Sequence, residues 1–94
     1  MSIGYYIAKR PQKYCSEAGD QIIDNKRECK GAALTSIKAE YSNADFKRQI
    51  ENEERPTGCF WSDYTKRLYF NTAEDIGRGM GNKKIRQVCK TTGT

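Results

Sequence analysis

Residues 56–71 read Pro56-Thr57-Gly58-Cys59-Phe60-Trp61, then Ser62-Asp63-Tyr64-Thr65-Lys66-Arg67, then Leu68-Tyr69-Phe70-Asn71. Two runs rich in aromatic and β-forming residues flank a polar stretch, which is the pattern of a β-hairpin. Side chains alternate between the two faces of a strand, so Cys59 goes with Trp61 and Leu68 goes with Phe70. Those four residues form the expected core face. Phe60 and Tyr69 then point to the other side, where they either cover a second face of the sheet or stack on a ligand.

Upstream, Asn25-Lys26-Arg27-Glu28-Cys29-Lys30-Gly31-Ala32-Ala33 carries a helix signal. Asn25 is placed as the N-cap, and Glu28 three residues on completes a capping box. Cys29, Ala32 and Ala33 fall at i, i+3 and i+4, an expected buried face small enough to lie close to a sheet. Gly31 weakens the helix by about 1 kcal/mol relative to alanine. The helix is predicted from Lys26 to Thr35 or Ser36.

The remaining elements are shorter. Gly4 to Ala8 reads as a first, edge strand, and Gln12 to Asp20 as a loop tied by Cys15 and turned at Gly19. Ala44 to Ile50 suits a short helix, with Phe46 and Ile50 at i and i+4, or a strand with Phe46, Arg48 and Ile50 on one side; a strand from Phe46 to Ile50 is preferred. Glu51 to Pro56 is a charged connection, Thr72 to Lys84 a glycine-bearing loop, Ile85 to Lys90 a last strand carrying Cys89, and Thr91 to Thr94 a tail. At 94 residues the chain is read as one domain, residues 1–94.

Four cysteines, no histidine and 36% hydrophobic residues bear on how such a domain holds together. A chain this small buries a modest core and gains from covalent crosslinks. The gaps between successive cysteines are 14, 30 and 30 positions. A zinc site brings its ligands in close pairs, so disulfides in an oxidising compartment are the better reading. Four cysteines allow three pairings. The preferred one joins Cys29 to Cys59, helix to sheet, and Cys15 to Cys89, loop to last strand. The expected fold is α+β: a small antiparallel sheet with one helix packed on a face.

The ordered set of motifs resembles a small four-cysteine domain that recurs in extracellular proteins of marine protists and algae. The matching pieces are the aromatic strand Tyr5 to Ala8, Cys15 with Gly19, and Ile23 to Ala33 with Glu28-Cys29 and Ala32-Ala33. Pro56 to Phe60, Leu68 to Asn71 and Val88 to Lys90 complete it. The chain departs from that pattern in its charged stretch from Phe46 to Arg55 and in its basic end. The resemblance implies secretion, disulfides and an α+β fold, and assigns no reaction. In it Pro56 and Gly58 shape the entry to the hairpin, and Asn71 bonds the loop that follows.

Function is bounded by what the chemistry allows. Without histidine, Ser-His-Asp and Cys-His catalysis are excluded. Glu51, Glu53, Glu54 and Asp63 sit among charges, which suits a solvated face better than a tuned acid–base pair. The loop from Gly77 to Lys84 lacks the features of a phosphate-binding loop. No apolar run is long enough to span a membrane, and Ile3 to Ala8 is too short for a signal peptide, so a secreted protein is met here in mature form.

The net charge is +5, and from Ile76 to Lys90 the chain carries Arg78, Lys83, Lys84, Arg86 and Lys90 with no acidic residue. Such a stretch attracts anions. The expectation is a non-enzymatic extracellular binding module without cofactor or metal. Its partner is an anionic polysaccharide or an acidic protein surface, ahead of nucleic acid. It binds through those basic residues and the aromatics Phe60, Tyr64 and Tyr69. Two alternatives are a structural subunit of a larger extracellular assembly and a secreted histidine-free enzyme or toxin acting on an anionic polymer.

Overall fold

The computed structural model describes residues 4–8, 15, 19–53, 55–73 and 84–91. The strands are β1 (Tyr5–Ile7), β2 (Gln21–Ile22), β3 (Asp45–Ile50), β4 (Gly58–Ser62), β5 (Arg67–Asn71) and β6 (Ile85–Lys90), and the helix α1 covers residues 26–38. Together they form an α+β fold, with one helix on a six-stranded sheet of order β1-β6-β4-β5-β3. β2 lies off that path, pairing with Cys89 and Lys90 of β6.

The hairpin forms as its pattern predicts. Cys59 pairs with Phe70 and Trp61 with Leu68, so all four share one face. Ser62 pairs with Arg67, which leaves residues 63–66 as the turn. Gly58 opens β4 with φ +79°, a backbone state that costs glycine little.

Two features of the sheet differ from expectation. β3 runs parallel to β5, so the sheet is mixed rather than wholly antiparallel. The chain passes from β3 to β4 before it reaches β5, and β4 runs the opposite way, so β5, inserted between them, comes back parallel to β3. A bulge also lies between Phe46 and Arg48. Phe46 pairs with Leu68 and joins the helix-side core, whereas Arg48 pairs with Tyr69 on the opposite face. The bulge thus separates Phe46 from Arg48 and Ile50, against the alternation read from sequence.

Asn25 caps α1, its Oδ1 accepting from the Glu28 amide at 3.2 Å. The capping box is half made. The Glu28 carboxylate accepts from the Tyr5 hydroxyl at 2.7 Å and from Lys90 Nζ at 3.2 Å. Tyr5 and Lys90 are register partners, so both reach the helix from one place on the sheet. A phenol and an ammonium hold a carboxylate more strongly than one backbone amide does.

The helix has a π turn over Cys29–Ala33, where Gly31 sits. Cys29, Ala33 and Ile37 are buried, with Leu34 packed beside them, but Ala32 is exposed, because the i, i+4, i+8 series is the one that faces the sheet. Ile37 extends that series, and the helix runs on to Lys38 rather than stopping at Thr35 or Ser36.

The disulfides are Cys15–Cys89 and Cys29–Cys59, with Cα–Cα distances of 5.4 and 5.5 Å. They lie on opposite faces of the sheet. Cys29–Cys59 sits in the main core with Trp61, Leu68 and Val88. Cys15–Cys89 forms a second cluster with Ala8, flanked by Tyr6 and Ile22. Buried Gln87 ties this side together, accepting from the Cys15 amide at 2.9 Å and donating to the Thr57 carbonyl at 3.1 Å. No helix among the described residues is long and apolar enough to cross a membrane.

Candidate functional site

The face of the sheet turned away from the helix holds a shallow, solvent-open concavity of about 430 Å³. Its floor is a cross-strand row. Phe60 of β4 pairs with Tyr69 of β5, and Tyr69 with Arg48 of β3. The Phe60 and Tyr69 rings are stacked, with centroids 5.2 Å apart and planes 12° from parallel. Phe60 is 2% exposed, so Tyr69 is the ring that meets solvent. Its hydroxyl donates to Thr65 Oγ1 at 3.0 Å, which fixes the ring's tilt.

The walls come from loops. The β3–β4 connection supplies Asn52 and Arg55, and the hairpin turn supplies Tyr64. Asn71 shapes that connection. Its Nδ2 donates to the carbonyls of Asn52, Arg55 and Pro56 at 2.8, 3.0 and 2.9 Å. Its Oδ1 accepts from the Asn52 and Ala73 amides at 3.0 and 3.1 Å. Asn71 therefore does bond the loop that follows it, but its main work is on the segment before β4. Among the described residues, Arg48 and Arg55 are the charged members of the lining, and no carboxylate shares it.

Of the basic residues read from sequence, the described ones are not in this lining. Arg78 and Lys83 lie outside the described residues, as does Glu54. Lys84 is exposed and precedes Ile85, which lines the concavity. Arg86 pairs with Trp61 in register, on the helix side of the sheet, and its guanidinium meets Asp63 at 3.1 Å. Lys90 is on the same side, bound to Glu28. The structure thus parts Arg86 and Lys90 from Phe60 and Tyr69. It brings Tyr64 and Tyr69 together with Arg48 and Arg55, which the sequence reading passed over.

Two carboxylates are held ionised. The Tyr5 hydroxyl and then Lys90 lower the pKa of Glu28, outweighing its burial; the Tyr5 pKa is raised in turn, first by that hydrogen bond. Burial acts to raise the pKa of Asp63, but the Trp61 indole N–H, at 2.6 Å, and the Arg86 charge together bring it below the ordinary value. A general acid needs the opposite shift. Glu51 and Glu53 are exposed.

A second hollow of about 320 Å³ lies at the far end of the helix, beside the Tyr41–Trp61 ring pair. It carries Glu40 and Lys66, charges of opposite sign. The chain matches no protein-family model, and no curated protein or solved structure matches it.

Proposed function

We propose that this chain is a non-enzymatic extracellular binding module, and that its concave sheet face receives an anionic partner, a polysaccharide or an acidic protein surface. The observation that carries this reading is the lining of that face. Two guanidinium groups, Arg48 and Arg55, stand beside Tyr64 and Tyr69, and among the described residues no carboxylate lines it with them. Guanidinium groups bind carboxylates and sulfates through paired hydrogen bonds, and a face of one sign raises the local concentration of counter-charged ligand. The two buried disulfides support an oxidising, extracellular setting.

An assembly subunit would need a broad apolar patch. Among the described residues, Tyr64 at 68% is the large hydrophobic side chain left exposed. The bulge and the exposed Lys47 and Arg48 also guard the free edge of β3 against strand addition.

Binding to a panel of polyanions, measured by calorimetry across ionic strength, tests the reading. Affinity is expected to fall as salt rises and to fall further in the double variant Arg48→Glu/Arg55→Glu. Equal binding by that variant and the native chain would sink it.

A further inference from the structure

The bulge at Lys47 does one thing to the concave face: it turns Arg48 onto it. Without the extra residue, alternation along β3 would put Arg48 on the side of Phe46, under the helix. Bulges near sheet edges commonly re-aim a side chain in this way. The re-aimed guanidinium falls in register beside Tyr69, the solvent-facing member of a stacked aromatic pair. Arg48 is exposed, and its guanidinium has no hydrogen-bond or ion-pair partner among the described residues, so it stands ready for a ligand.

We propose that this juxtaposition is a subsite for one acidic sugar residue of a glycan chain, its ring lying against Tyr69 and its carboxylate or sulfate on Arg48. The inference rests on the anion-binding reading above and narrows it. A sugar ring has an apolar C–H face and a rim of hydroxyls. Tyr69 offers the first an immobile aromatic plane, backed by Phe60 and pinned through Thr65. Asn52, Ser62 and Thr65 bring neutral amide and hydroxyl groups to the same lining, suited to the rim. A nucleic acid strand calls for a run of cations tracking its phosphates. An acidic peptide would draw on the guanidinium groups and leave the aromatic plane without a task.

Four probes separate the outcomes: an oligogalacturonate, a sulfated galactan oligosaccharide, a neutral galactan oligosaccharide and a polyglutamate peptide. They are titrated by calorimetry into the full chain and into Tyr69→Leu, Tyr69→Phe and Arg48→Gln. Thermal unfolding confirms that each variant is folded, and a spectrum of shifted amide resonances maps the site if Tyr69→Leu is not. An acidic oligosaccharide is expected to bind more tightly than both the neutral one and polyglutamate, with shifts centred on Tyr69 and Arg48. Tyr69→Leu is expected to weaken it by about tenfold or more while leaving polyglutamate unchanged, and Tyr69→Phe to retain it. Arg48→Gln is expected to remove the preference for acidic over neutral sugar. Binding by the uronate alone names the anion a carboxylate, and by the sulfated chain alone a sulfate. If acidic sugars and polyglutamate bind alike and Tyr69→Leu harms neither, the sugar subsite is overturned while anion binding stands. If no anionic probe binds, both fall.

Discussion

The Ile23 carbonyl oxygen lies 2.6 Å from where a β-carbon on Gly58 would sit. The same oxygen accepts from the Cys59 amide at 3.1 Å, so the approach locks the end of β2 onto the start of β4. With φ at +79°, position 58 is closed to side chains twice over, by conformation and by contact. Gly58→Ala is expected to destabilise the fold by about 2–3 kcal/mol, read as a lowered denaturation midpoint. An unchanged midpoint would mean that β2 and β4 are not held this way.

Asn71 presents an NH₂ group to three carbonyl oxygens in a site that is 1% exposed. Asn71→Asp keeps the shape and replaces the donor with a carboxylate facing those oxygens. A loss of about 3 kcal/mol or more is expected, because a buried charge is left without donors on that side. Since the segment it organises carries Asn52 and Arg55, ligand affinity should fall with stability. Asn71→Asp with native stability would show that the connection is shaped by something else.

The Glu28 pair with Tyr5 and Lys90 sets an acid limit. A carboxylate with a lowered pKa contributes stability that is complete above its ordinary value and is lost as pH falls through the lower, folded one. The window therefore lies below 4.5 for Glu28, and below 3.8 for Asp63. Tyr5→Phe is expected to cost about 1 kcal/mol at neutral pH, and less as the medium is acidified into that window. Tyr5, whose own pKa is raised, loses its contribution as pH climbs through its folded value, above 10.0. A difference between native and variant that stays level across the acid range would rule out the ionised pair.

Removing the crosslinks should act unequally. In the chain-entropy picture the link across 74 positions contributes about 4.5 kcal/mol and the one across 30 about 3.6 kcal/mol. Alkylation without reductant is expected to leave all four cysteines unlabelled. Cys29→Ala/Cys59→Ala opens the main core, and Cys15→Ala/Cys89→Ala releases β6 from the loop around Cys15. Both pairs are expected to lower the unfolding midpoint, and labelling of the native chain would refute the bridged state.

Local rules made much of this fold legible. The cap at Asn25 and the alternation in residues 58–71 depend on neighbours a few positions away, and both appear where the sequence places them. What could not be read was set at a distance. Nothing near Phe46 marks it for the core and Arg48 for the open face, because the bulge arises only where β3 meets β5. Glu28 looks like a capping-box residue until Tyr5 and Lys90 arrive from other strands. The basic C-terminal stretch reads as one patch, yet two of its members, Arg86 and Lys90, are spent on Asp63 and Glu28 under the helix. Arg48 and Arg55 stand in mixed charge and draw no notice until Asn71 gathers the segment around them.

The Cys15–Cys89 link joins positions near the two ends of the folded body. Tension applied to the chain from outside those positions passes through a covalent bond and bypasses the helix and strands β2 to β5 altogether. Among the described strands only β1 lies outside the closed loop, held by its pairing with β6, the Tyr5 bond to Glu28 and the burial of Ile7, so it alone can be peeled away. A tethered copy would yield there first and otherwise behave as a mechanically inert bead, keeping its concave face intact under load.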